Sequence, residues 1–175
     1  MFPMDCTTLF SALEERDEDM DVNIIKGEIE QLEVCAKILE DTILGQKYFK
    51  DRNDQYIGKS LLKEGFDEEE MVVALDGDGS CVGFAWMIPR GIFHWFPFIH
   101  VVAVKKEHHR KGIGKQLMTF IEDLGFKQSD RIFLCVDDFS KEAIELYKSM
   151  GYEEVGPIPD LYVPGVVTYL MMKSR

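Results

Sequence analysis

The stretch Val102-Ala103-Val104-Lys105-Lys106-Glu107-His108-His109-Arg110-Lys111-Gly112-Ile113-Gly114-Lys115 carries the sharpest chemical signal in this sequence. It reads as a β-branched strand, then a basic turn holding two glycines, then the opening of an amphipathic helix. The first N–H groups of a helix lack internal partners and sit at the positive end of its dipole, so they attract anions. Gly112 and Gly114 allow a phosphate to approach the backbone around Ile113 closely. His109, Arg110, Lys111 and Lys115 add donors and positive charge to a chain whose net charge is −12. The expected ligand therefore carries phosphate. Two common phosphate motifs do not fit. Leu117 stands where a dinucleotide fingerprint needs its third small residue. A nucleotide P-loop fails at Gln116, where Ser or Thr belongs, and at His109, where its first glycine belongs.

Other reactive side chains carry weaker signals. His108-His109 is a pair without spaced Cys, His or carboxylate partners, so no metal is expected. Asp137-Asp138 follow a strand and read as a capping turn before the next helix, with substrate contact as the alternative. Trp86, Phe93, Trp95, Phe96 and Phe98 could line an acceptor pocket or simply pack, and nothing in the sequence separates the two.

The elements that must hold these groups follow from periodicity. Strands are predicted at 22–25, 71–75, 81–88, 98–104, 131–136, 152–155 and 166–172. Asp76-Gly77-Asp78-Gly79 joins the second and third as a hairpin. Ile29, Leu32, Ala36, Leu39 and Ile43 form the stripe of one helix, and Ile57, Leu61 and Leu62 mark another over 51–63. Further helices begin at Gly112, with Leu117, Phe120, Ile121 and Leu124 on one face, and span 140–150. Strand-helix alternation in the second half implies a parallel pair, and the hairpin implies antiparallel neighbours. The fold class is α/β (mixed α+β): a central twisted mixed sheet flanked by helices.

Two segments in this order resemble the GNAT superfamily of N-acetyltransferases. The pyrophosphate motif of that family, Gln/Arg-x-x-Gly-x-Gly/Ala, is matched by Gly112-Ile113-Gly114, with His109 at the Gln/Arg position and Arg110 beside it. Its later segment, Asn-x-x-Ala-x-x-Leu-Tyr-x-x-x-Gly-Phe, is matched from Ser140 to Tyr152, with Ser140 for Asn and Tyr152 for Phe. The resemblance covers about residues 21–172 and implies the GNAT-like acyl-CoA N-acyltransferase fold. It implies acetyl-CoA as cosubstrate, held by Val102, Val104, His109, Arg110, Lys111, Gly112, Ile113, Gly114, Lys115, Ser140 and Ala143. In the family the strand before the turn splays from its neighbour and frees N–H groups, here by position those of Val102 and Val104.

Direct acetyl transfer also needs a neutral amine, and donors for the oxyanion and the departing thiolate. A lysine-like amine at ~10.4 costs about 4–5 kcal/mol to deprotonate at pH 7. His100, where several relatives carry an acidic base, is the candidate base; otherwise it fills a strand face. Tyr147 matches the family's general acid, although its spacing with Ala143, Ile144 and Met150 also suits a core aromatic. A phenol near ~10 works better as a hydrogen-bond donor than as a full acid toward a thiolate near ~8.5.

The totals bound the rest. A chain of 175 residues with 46% apolar and 30% charged residues suits one core. The organisation expected is an acidic N-terminal extension at 1–20 and one acetyltransferase domain at 21–175. The acidic balance argues against nucleic acid and leans toward a cationic partner. Cys6, Cys35, Cys81 and Cys135 show no paired spacing and read as free thiols. No run reaches the ~18 apolar residues of a membrane span, and the start lacks a secretory pattern, so a cytoplasmic location is expected. The leading expectation is an acetyl-CoA-dependent N-acetyltransferase acting on a primary amine of a small molecule; a homodimer is one state the sequence allows. The alternatives are a protein or peptide N-acetyltransferase and a non-catalytic acyl-CoA-binding domain. Retained Tyr147 weighs against the latter.

Overall fold

Apolar strands and helices with one apolar face have few ways to cover each other, and the computed structural model, which describes residues 22–49 and 57–175, shows the one adopted. The chain runs β1 (Asn23–Lys26), α1 (Leu32–Asp41) after a 3-10 turn, α2 (Ile43–Tyr48), α3 (Ile57–Asp67), β2 (Met71–Leu75), β3 (Cys81–Ile92) and β4 (Phe96–Val104). A second 3-10 turn leads to α4 (Ile113–Phe126), β5 (Arg131–Asp137), α5 (Lys141–Ser149), β6 (Glu153–Pro159) and β7 (Val167–Ser174). The predicted extension over residues 1–20 lies outside the described residues.

The strands form one mixed sheet in the order β1-β2-β3-β4-β5-β7-β6. β4 and β5 run parallel, joined by α4 as crossover, while the other neighbours are antiparallel. The expected fold class is therefore the observed one. Alternation along the strands splits the core in two. Ile99, Ile132, Leu134 and Val136 pack with Ile113, Leu117 and Ile121 of α4, and with Ala143, Ile144 and Tyr147 of α5. Val73, Phe84, Trp86 and Ala103 pack on the opposite face with Leu32, Cys35 and Leu39 of α1 and Leu62 and Phe66 of α3.

Three boundaries depart from expectation. The helix predicted from Ile29 to Ile43 ends at Asp41, because Thr42 is extended (ψ 163°). Its hydroxyl accepts the Gly45 N–H at 3.1 Å and so starts α2. The helix expected over 51–63 is described from Ile57 to Asp67, and its first part lies outside the described residues. β3 and β4 extend through most of the aromatic segment, leaving a tight tip where Phe93 and His94 both have positive φ. The Asp76–Gly79 turn is as expected, with Asp76 Oδ1 accepting the N–H groups of Asp78 and Ser80.

Candidate active site

The site begins with a failure of two strands to stay together. β4 pairs with β5 at Phe98↔Phe133 and Ile99↔Leu134 only, although both strands continue. Beyond that point β5 turns its hydrogen bonds to β7 alone. One residue explains the change in β4. Against β3 the register runs Met87↔Ile99 and then Trp86↔Val101, so His100 is an inserted residue with no opposite number. The insertion reverses the side-chain phase. Ile99 faces the α4 side, Val101 and Ala103 face the α1/α3 side, and Val102 and Val104 return to the α4 side. The Lys105 N–H donates to the Val82 carbonyl of β3 at 2.8 Å. By alternation Val101 and Ala103 also point their amides at β3, and Val102 and Val104 point theirs into the gap beside β5. No other strand meets them there.

Past β4 the backbone becomes a cradle of donors. Arg110 and Gly112 have positive φ, 62° and 81°, flanking the start of α4, so successive N–H groups converge as in an anion-binding nest. None of the N–H groups from Arg110 to Lys115 has a protein acceptor among the described residues; the first helical bond is Gln116 N–H to the Gly112 carbonyl. Ile113 is buried and anchors the helix start. Lys111 and Lys115 are exposed beside the turn. Arg110 is 91% exposed, with a long 3.9 Å contact to Glu142 of α5. The His109 Nε2 lies 2.9 Å from the Val104 carbonyl, so that ring nitrogen ties the turn to β4. Six unpartnered donors at a helix N-terminus fit a pyrophosphate well.

α5 brings Tyr147 to the same face as Val102 and Val104. Its ring meets Tyr152 edge-on at 5.9 Å, and burial pushes its hydroxyl up to about 12. Ala143 packs one turn before it, and Ser140 precedes the helix without a side-chain cap bond.

The opposite face of the gap holds a second set. His100 stands edge-on to Trp86 at 4.5 Å and 5.9 Å from Phe98. Burial holds its imidazole below the usual histidine value, with the Glu64 carboxylate of α3 opposing that effect. Trp86 is fixed by its Nε1–H donating to Glu70 at 2.8 Å. Asp137, at the end of β5, makes the expected turn before α5 through its backbone, its carbonyl accepting the Ser140 N–H at 2.9 Å, while its side chain points elsewhere. Its Oδ2 accepts from the Tyr48 hydroxyl and its Oδ1 from Thr168, both at 2.6 Å. Asp138 instead accepts the Val167 N–H at 3.3 Å. Tyr48 was invisible to sequence reasoning, since nothing in a helix end signals a partner 89 positions away. The signal that could have found Asp137 is a carboxylate closing the apolar run Ile132–Val136.

A sequence model of the Acetyltransferase (GNAT) family matches residues 32–152. The uncharacterized protein ML0378 of Mycobacterium leprae is 35% identical over 97 residues, covering 53% of this chain and 26% of that protein, so the chain spans about a quarter of the length of this curated relative. A GNAT family acetyltransferase from Bacillus cereus ATCC 10987 is similar in fold, with TM-score 0.71 at 19% identity over 88% of this chain and 97% of the other. The structure of yncA from Salmonella typhimurium with its cofactor acetyl-CoA gives TM-score 0.72 at 15% identity, over 89% of this chain and 94% of the other. At these identities the likeness concerns the fold. Among the described residues no helix is long and apolar enough to cross a membrane.

Proposed function

Because this chain belongs to the acetyltransferase (GNAT) family, we propose that it is an N-acetyltransferase moving the acetyl group of acetyl-CoA directly to a primary amine of a small molecule. The observation that carries this reading is the run of unpartnered N–H groups from Arg110 to Lys115, leading out of a strand whose own amides open into the gap beside β5. The family uses acetyl-CoA, which supplies an acetyl group activated as a thioester. Gly112, Ile113, Gly114 and Lys115 would hold its pyrophosphate through backbone donors, with Lys111 and Arg110 adding charge and His109 bracing the turn. Ser140 and Ala143 border the same path at the start of α5.

The residues divide the chemistry by face. Val102 and Val104 offer N–H donors inside the gap, where charge develops on the carbonyl oxygen; fixed donors there favour the transition state. Tyr147 donates a hydrogen bond to the departing sulfur. With its hydroxyl at about 12, full proton transfer to a thiolate near ~8.5 is uphill by about 5 kcal/mol, so Tyr147 keeps its proton. His100 faces the opposite side, neutral at pH 7 and without a hydrogen-bond partner among the described residues, and takes the amine's proton directly or through water.

A small cationic acceptor is favoured by the net charge of −12, whose field draws in such a molecule. The test is a melting curve with CoA, acetyl-CoA, NAD and ATP, followed by thiol release with a panel of amines. Saturation with CoA at 100 times its Kd should stabilise the fold by about 2.7 kcal/mol. No shift with CoA at saturation overturns the reading.

A further inference from the structure

Asp137 is a buried carboxylate, 6% exposed, and no described lysine, arginine or histidine lies within ion-pair distance of it. An ionised carboxylate is costly to enclose without partners, and two hydroxyl donors compensate only part of that cost. Its place is specific. It stands three residues beyond Leu134 on β5, about 10 Å past the last step at which β5 pairs with β4, on the stretch where the two strands have parted. Val102 serves the gap itself, while Asp137 shares its strand face with Phe133 and Cys135, opposite the α4 side.

Around the carboxylate stand three rings. Tyr48 lies 6.4 Å from Phe139 and 6.1 Å from Tyr162, the latter nearly edge-on. The Tyr162 hydroxyl lies beside the Cys135 thiol. Tyr48 spends its proton on Asp137, so its oxygen presents only lone pairs to anything else that approaches. Aromatic faces backed by a carboxylate attract organic cations. Lys47 Nζ lies 5.8 Å over the Phe139 ring, an exposed cation at the rim of the group.

We propose that Tyr48, backed by Asp137 and flanked by Phe139 and Tyr162, forms the subsite that receives the ammonium group of the acceptor. The preferred acceptors are then alkylamines that are cationic at neutral pH, in preference to arylamines that are not. This rests on the acetyltransferase reading given above and adds the substrate class. The arrangement serves both protonation states: the Asp137 charge favours the arriving ammonium, and the Tyr48 lone pair still accepts an N–H after one proton has left. Asp137 acts through Tyr48 and is a positioning residue; Tyr48 makes the contact.

The experiment compares benzylamine, an ammonium at pH 7.5, with aniline, which is neutral there. The ratio of their kcat/KM values is measured for the full chain, Asp137→Asn and Tyr48→Phe. Both variants should lower the benzylamine-to-aniline ratio at least 10-fold, through KM for benzylamine, and Asp137→Glu should recover part of it. A ratio unchanged in Tyr48→Phe, which keeps the ring and the packing, overturns the subsite even if Asp137→Asn fails to fold. A second arm needs no turnover: calorimetric titration with benzylamine and its neutral isostere benzyl alcohol. Tighter binding of benzylamine, lost in Tyr48→Phe, supports the subsite; equal binding of the two overturns it. Absence of thiol release with every amine would count against the acetyltransferase reading alone, and the titration would still decide this one.

Discussion

Tyr147 and His100 stand on opposite faces of the sheet, and their environments set what each can do in the proposed reaction. Tyr147→Phe removes one donor and keeps the packing against Tyr152. Single-turnover rates should fall by about 100-fold, with the CoA-induced melting shift preserved. An unchanged rate would return Tyr147 to the core as packing. His100 makes two linked predictions. Its folded-state value lies below the ordinary ~6.5, so the unfolded chain binds the proton more readily than the folded one. The stability it contributes is therefore complete above pH ~6.5 and is lost as the pH falls through that value toward the folded one. A melting series from pH 7.5 downward should show this loss, and His100→Phe should flatten it. The same depression moves the acid limb of kcat/KM below pH ~6.5, and His100→Ala should abolish that limb.

At the scale of elements, the turn into α4 separates two uses of glycine. Gly112 has φ 81°, so any side chain there strains the turn by about 1–2 kcal/mol, although a Cβ would meet nothing nearer than Gln116 at 3.8 Å. Gly114 is helical, and a Cβ there would meet only Val104 at 3.8 Å. Gly112→Ala should therefore lower the melting temperature. Gly114→Ala should leave both the fold and CoA binding in place, since the family motif admits Ala there, whereas Gly114→Asp should abolish CoA binding by setting a carboxylate against the pyrophosphate. Melting curves with and without CoA check both. If Gly114→Asp keeps full CoA affinity, the ligand does not approach the backbone there. The bulge at His100 belongs to the same scale. It sends His100 to one face and the amides of Val102 and Val104 into the gap, so one inserted residue sets the positions of the proposed base and the proposed donors together.

Over the whole molecule, the net charge of −12 surrounds a cationic acceptor with a favourable field. That field is screened over ~10 Å at 0.1 M salt and ~3 Å at 1 M. The KM for benzylamine should rise with added salt while that for aniline holds steady; parallel behaviour would show that the charge serves solubility alone.

What the sequence determined by itself was local. The strand, basic turn and helix from Val102 to Lys115 were legible because helix propensity, left-handed glycine and charge all act within a few residues. The amphipathic stripes of α1 and α4 and the Asp76–Gly79 hairpin were legible for the same reason. The break at Thr42 was not, because the apolar stripe runs through it and only a capping hydroxyl decides against one helix. Tertiary structure alone decided the rest. The separation of β4 from β5 depends on how far two strands, paired at Phe98↔Phe133 and Ile99↔Leu134, stay in register, and the inserted His100 is defined only against its partners in β3. The contact between the His109 ring and the Val104 carbonyl likewise exists only once the turn folds back on β4. Tyr48, Asp137, Phe139, Tyr162 and Thr168 come from separate segments, and no spacing rule links them. Their meeting follows from sheet order and packing, which fix distances between residues that the chain itself leaves far apart.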